Sequence, residues 1–427
     1  MSTVQPIAQD RSQTTKYIVI IGVFFFIFGF ITWINGTLIP YLRIACELEE
    51  WQAYLVTFAF YISYTAMAVP SSSLLAKTGM IKGMSIGLAV MAVGCLLFIP
   101  AAYARNYLLF LFGLFWVGGG LTLLQTAVNP YITLLGPPET AAKRISIMGI
   151  CNKVAGILAP LIMGSIILQN ASGLIDELAQ MDPVAKAARL DQLSQSVVIP
   201  YIVLAAILLL IAYLIRFAHL PEISPEKKPE TDTAAVNVSS AVRSQYFLGF
   251  LAIFCCVGTE VLAGDSIGNY GLYHGLNLDI AKSLTSYTLA AMMAGYLFGV
   301  TAIPKIISQQ NAFLYSTVGG LIVTMLVVFI PGIGSLAALA LLGLCNALLW
   351  PAIWPQALNG LTGKQLAKGS AILIMGIAGG ALLPLIYGAI AKYSNNQLAY
   401  LLLVPVYLFL IYYSLKGKKL VPQKTNA

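Results

Sequence analysis

Twelve apolar runs, each about as long as a bilayer is thick, decide what this chain of 427 residues can become. A helix needs about 20 mostly apolar residues to cross the hydrocarbon core. The runs at 17–42, 53–76, 81–103, 107–135, 145–168, 198–219, 246–273, 283–304, 313–330, 335–360, 368–391 and 397–415 approach or exceed that length. Barrel strands would need only about ten alternating residues each. The expectation is an all-α integral membrane protein with twelve transmembrane helices. Charged residues make up 9% of the chain, against about 25% in a soluble domain.

Lysine and arginine in the loops set the orientation. With the N-terminus inside, seventeen of them fall on the cytoplasmic side and six on the other. Both termini are therefore expected in the cytoplasm, and the net charge of +8 follows from topology, with no nucleic-acid partner implied. Residues 1–16 are polar and the first run is too long for a signal-peptide core, so that run is expected to be the first span. The six cysteines lie mostly within apolar runs without metal-ligand spacing, and read as small buried hydrophobes. The two histidines, His219 and His274, stand at the ends of apolar runs. No metal, cofactor or catalytic cluster is expected, and no enzyme.

The polar, proline-containing stretch 220–245 reads as a linker between two halves. The expected division is a tail 1–16, a six-helix bundle 17–219, the linker 220–245, a second bundle 246–415 and a tail 416–427. The segment 170–196 is long enough for a short surface helix. A shift of 224 residues superposes Gly136 on Gly360, Arg144 on Lys368, Ser146 on Ser370, Gly156 on Gly380 and Pro160 on Pro384. It also lays "PLIMGSI" (160–166) on "PLIYGAI" (384–390). A duplicated six-helix unit is the signature of transporters built from parallel repeats, with a site near the midplane between them.

Four motifs sharpen this reading. They are "NGTLIPYLR" (35–43), "LQTAVNPYITLLGPPE" (124–139), Asn152 with Pro160, and "VGTEV" (257–261). Together they resemble the fucose–glucose/galactose–hexose symporters of the major facilitator superfamily, and "AKTGMIKG" (76–83) resembles that superfamily's basic loop, with Lys77 and Lys82 in a gating or structural role. The resemblance implies the major facilitator fold, two six-helix bundles around a central cavity, in a bacterial inner membrane. It also implies a monomeric sugar carrier in the lipid bilayer, importing a hexose such as glucose or galactose with a proton. Sodium coupling and uncoupled facilitation stay open. Two departures matter: Gly36 stands where the fucose symporter has a functional Asp, and Gln125 where it has a Glu in span four. Its proton route cannot be carried over.

The stretch "FLAIFCCVGTEVLAGDSIGNYG" (250–271) holds two carboxylates, Glu260 and Asp265. A mid-membrane charge costs roughly 2.5–3.5 kcal/mol on insertion scales, so such groups face protein or a wet cavity. The 224-residue shift lays Gly36 on Glu260, which makes Glu260 the candidate coupling acid. The alternative is a structural ion pair with Lys153, the basic residue inside span five. Lys153 could also neutralise Glu260 or Asp265 when the site is empty, which makes it an ion-coupling candidate itself. Asp265 lies five residues after Glu260, about 140° around the helix. With Asn269 on its own face it reads as a gate or hydrogen-bond anchor, or as a second ion ligand.

Sugars need amides for their hydroxyls and aromatic faces for their C–H surfaces. Thr122, Gln125, Thr126, Asn129 and Thr133 form one stripe of span four, and a polar face in lipid must look into protein or water. Span ten offers Asn346, Trp350, Trp354 and Gln356. Asn35 and Asn152 join them through the family motifs. Tyr54, Tyr61 and Tyr64 are either cavity-lining or packing groups.

Overall fold

A computed structural model describes residues 11–134, 141–168, 173–217, 220, 240–303, 306–359, 369 and 372–420. The side chains at 11–15, 129–130, 133–134, 141–143, 145–146, 176, 240–243 and 417–420 are outside that description. No strand occurs among the described residues. Eleven of their helical segments are long and apolar enough to span a bilayer. The expected eighth span is also a helix, Leu284–Ala302, whose Ser, Thr, Tyr and Gly residues lower its hydropathy.

The chain divides into two compact units, 1–48 with 59–237, and 49–58 with 238–427. The first unit is built from α1 (Arg11–Trp33) and α2 (Asn35–Ala45), then most of α4 (Leu55–Thr78), which follows the short α3 (Glu50–Ala53). It continues through α5 (Met80–Tyr103), α6 (Tyr107–Leu134), α7 (Ala141–Ile167), α8 (Leu174–Gln180), α9 (Pro183–Gln195) and α10 (Val198–Leu214). Here α5 packs on α6 and α10, and α1 packs on α7.

The second unit comprises α11 (Ser240–Asp265), α12 (Ile267–Tyr273), α13 (Leu278–Ala281), α14 (Leu284–Ala302), α15 (Gln309–Phe329), α16 (Ile333–Asn346), α17 (Leu349–Leu358), α18 (Gly379–Tyr393) and α19 (Leu403–Leu420). In it α15 packs on α16 and α19, and α11 on α18. These are the same three span pairings as in the first unit, so the sequence repeat is a repeat of packing. Of the positions that revealed it, Gly136, Gly360, Lys368 and Ser370 lie outside the described residues.

Close helix contact in lipid depends on small residues, and one pair shows it in both units. A Cβ on Gly118 of α6 would strike the backbone carbonyl oxygen of Phe60 on α4. A Cβ on Gly343 of α16 would strike that of Thr288 on α14. The two glycines are 225 residues apart (343 − 118), one more than the repeat shift.

The expected surface segment forms two helices, α8 and α9, not one. Asp182 accepts from the backbone N–H groups of Val184 and Ala185, both at 3.0 Å, with Pro183 at the first helical position, where its missing N–H costs nothing. Tyr41 fixes α9 by donating to the carbonyls of Leu193 (2.9 Å) and Ser194 (2.8 Å).

Residues 49–58 belong to the second unit although the rest of α4 belongs to the first. Lys392 meets Glu49 at 2.7 Å, Asn396 donates to Glu50 at 2.6 Å, and Tyr54 stands edge-on to Tyr387. Lys392 and the Trp51 indole N–H hold the Glu49 carboxyl below the usual carboxylate range. A lowered carboxyl pKa contributes above the ordinary value and is lost as pH falls through the lowered one. This docking therefore persists at neutral and mildly acidic pH.

Gly343→Ala forces the Thr288 carbonyl away and is expected to destabilise the protein by about 1–3 kcal/mol, the usual range for overpacking. Thermal unfolding in detergent checks this; an unchanged midpoint contradicts the close contact.

Candidate functional site

Several spans are interrupted among the described residues, and three of the interruptions adjoin a buried polar side chain with unmade hydrogen bonds. In the first unit a turn at Ile34 separates α1 from α2, while its N–H still donates to the Phe30 carbonyl at 3.2 Å and its carbonyl accepts from the Leu38 N–H at 3.0 Å. Asn35 follows it, with 0% of its surface exposed and both amide atoms without a partner. In the second unit α16 ends at Asn346 and α17 begins at Leu349. Pro351 has no N–H to give the carbonyl four residues back, at Ala347, so the break follows from sequence. Asn346 accepts from the Tyr407 hydroxyl at 2.7 Å, while its Nδ2 has no acceptor. The third break separates α11 from α12 at Ser266. The Ser266 hydroxyl turns back on the Leu262 carbonyl, a bond that bends helices, and meets the Tyr400 hydroxyl at 2.6 Å. Asp265, immediately before it, is fully buried and neither carboxyl oxygen has a hydrogen-bond partner.

An unsatisfied buried polar group costs about 1–3 kcal/mol. Irregular backbone at membrane depth is tolerated where it is buried in protein or lines a water-filled cavity, and transporter sites are often built at such interruptions.

On α6, Gln125 is half-buried and donates to the Tyr64 hydroxyl at 3.2 Å. Thr122 and Thr126 donate to carbonyls of their own helix, Gly118 at 2.8 Å and Thr122 at 2.7 Å. Among the described members of that stripe, Gln125 is thus the group that reaches off the helix. Asn129 lies on α6 with its side chain outside the described residues. Tyr61 stacks on Tyr64. Asn152 donates to the Phe25 carbonyl at 3.4 Å, tying α7 to α1. Lys153 is buried, with its Nζ 4.8 Å from the centroid of the Trp33 ring, a cation–π contact that eases the cost of a buried ammonium.

In the second unit, Trp350 and Trp354 stack at 5.3 Å between centroids, inclined by 19°, and both stay partly exposed. Gln356 is engaged at both ends of its amide, donating to the Tyr413 carbonyl at 2.9 Å and accepting from Gln310 at 3.2 Å. It braces α17 against α19 and α15. Glu260 is partly exposed, and Asp265 and Tyr296 of α14 lie within its electrostatic reach. Asn269 is buried on α12, and Lys77 and Lys82 are exposed where α4 meets α5. Trp33, Tyr407 and Ser266 were not among the expected site residues. Pro351 four residues after Ala347 and the Gly264–Asp265–Ser266 triplet were the available signals.

The Major Facilitator Superfamily model matches residues 21–373. The chain belongs to that superfamily: it is a multi-pass membrane transporter, with the fold and relatives of transporters rather than of enzymes. It is 32% identical over 98% of its length, and 98% of the relative's, to a glucose/galactose transporter of Brucella abortus. It is 28% identical to the L-fucose-proton symporter of Escherichia coli, over 91% of this chain and 90% of that one. Among solved structures it is similar to the superfamily transporter FucP in the outward conformation, with a TM-score of 0.73 and 26% identity, over 95% of this chain and 99% of that chain.

A sugar-binding role for Gln125 predicts that Gln125→Ala lowers transport roughly tenfold or more, because a ligand hydroxyl would be left without its partner. Asn129→Ala should do likewise. Thr126→Val, which loses a bond only to its own helix, should transport nearly as wild type. Initial-rate uptake in cells with matched expression distinguishes them; equal effects of Gln125→Ala and Thr126→Val would remove α6 from the site.

Proposed function

We propose that this protein imports a monosaccharide, a hexose such as glucose or galactose, coupled to protons by alternating access across a bacterial inner membrane. It acts as a monomer with both termini in the cytoplasm. The observation that carries the reading is the pair of buried amides, Asn35 and Asn346, whose unmade hydrogen bonds suit a ligand rich in hydroxyls. A site built to hydrogen-bond hydroxyls discriminates strongly against ligands that lack them. The stacked Trp350–Trp354 pair offers the flat apolar surface that a pyranose C–H face needs. The glucose/galactose transporter that the chain matches end to end supports the same substrate class, and the fucose-proton symporter supports the driving ion.

Glu260 is the coupling acid in this reading: partly exposed on α11, it can exchange a proton with water. Gly36 and Gln125, in place of two carboxylates, favour a second reading, an uncoupled facilitator. Sodium is the alternative driver.

Binding of a monosaccharide panel to purified protein tests the substrate class. Trp350→Ala should weaken sugar binding more than Trp350→Phe, by about 0.5–1.5 kcal/mol, the range for an aromatic contact beyond its buried area. Equal loss in both would assign the effect to the indole N–H. Glu260→Gln imitates the protonated acid, so it should exchange sugar across the membrane yet fail to concentrate it. A Glu260→Gln protein that accumulates sugar normally would end that role, and uptake that follows sodium at fixed pH would replace the proton.

A further inference from the structure

Asp265 is the most unusual group in the second unit, and the proposed coupling through Glu260 does not use it. It ends α11 at the interruption before α12, has no exposed surface, and neither carboxyl oxygen accepts a hydrogen bond. Three of its neighbours turn their donors elsewhere. Ser266 bonds Leu262 and Tyr400, Thr285 of α14 donates to the Gly264 carbonyl at 2.8 Å, and Tyr270 is engaged with Ser335.

Among the described residues of the elements packed on α11, no cation stands in for these donors. The elements packed on α11 are α12, α14, α16, α17, α18, α19 and the turn 376–378. Of these, α12, α14, α16, α17 and 376–378 contain no Lys or Arg. Lys392 lies near the end of α18, paired with Glu49, and the lysines of α19 occupy its last turns. Among the described residues, the titratable groups that face this region include Tyr270 and His274 at α12, Tyr296 of α14, Tyr387 of α18, Tyr400 in the turn 398–402, Tyr407 of α19, Cys256 of α11 and Cys345 of α16. The nearby charge is Glu260, of the same sign. A carboxylate that is dry, without donors and beside another carboxylate is far less favourable than the neutral acid.

We propose that Asp265 is the station that binds the coupled proton: a neutral carboxylic acid in the conformation described here, which releases its proton when the α11–α12 break opens to water. Glu260, partly exposed and five residues earlier, passes the proton on. Because the two lie about 140° apart around the helix, water admitted at the open break carries the proton between them. The O–H bond of the Glu260 acid breaks to water as that of Asp265 forms from water, and Glu260 is reprotonated from water. This inference rests on the proton-coupled reading above and adds a second, buried site to it.

The test uses purified full-length protein in proteoliposomes under an imposed pH gradient. A one-unit gradient supports about tenfold accumulation at one proton per sugar. Asp265→Asn, permanently neutral, should still exchange labelled glucose or galactose but accumulate neither. In the infrared, the wild type should show the C=O stretch of a neutral carboxylic acid that persists across the neutral pH range. That band should vanish in Asp265→Asn and remain in Glu260→Gln. Should Asp265→Asn fail to fold, Asp265→Glu must shift the band. A band that is absent, that Asp265 substitutions leave untouched, or that Glu260→Gln removes overturns the proposal, as does normal accumulation by Asp265→Asn. If the wild type itself fails to accumulate sugar on a pH gradient, the proton-coupled reading falls and takes this site with it. The mutant arm alone leaves that reading standing.

Discussion

Lipid offers no hydrogen bonds, and every other feature of this structure depends on that. Each backbone N–H and C=O at membrane depth needs a partner within the chain, which is why the described spans are helices. The same constraint makes an interrupted ladder costly, so an interruption survives where protein surrounds it. The breaks at Ile34, Ser266 and Ala347–Leu348 all lie among buried residues. Each leaves a polar side chain beside it that the fold does not satisfy.

Those unsatisfied groups differ in chemistry. Asn35 and Asn346 are neutral amides that can both donate and accept, the pairing a sugar hydroxyl requires. Asp265 accepts when charged and donates when neutral, so its state reports a proton. Lys153 shows the other way to hold a charge in this fold, on the face of Trp33. The two carboxylates on α11 differ in exposure: Glu260 is partly exposed and Asp265 is fully buried.

Much of this was legible in the sequence because it is local or periodic. Run length alone placed the spans, and the 224-residue shift exposed a duplication that the structure repeats as packing, down to Gly118 and Gly343. Pro351 marks the break in span ten. What stayed hidden depends on partners distant in sequence. The stripe on α6 looked uniformly polar, yet Thr122 and Thr126 donate to their own backbone and Gln125 alone of the described members reaches Tyr64. Gln356 resembled a ligand-binding amide and braces three helices. The assignment of 49–58 to the second unit rests on Lys392, Asn396 and Tyr387, more than 320 residues away (387 − 58 = 329). No local pattern could announce that.

The central claim is that sugar and proton move together through a fold that keeps no carboxylate where the fucose symporter has its two. The most direct measurement follows the proton itself. Purified protein is sealed in liposomes with a pH-sensitive dye inside, and glucose or galactose is added outside with no gradient imposed. The account predicts that sugar entry acidifies the interior, saturably and without sodium. Sugar that enters while the internal pH stays constant, or that needs sodium to enter, would contradict it.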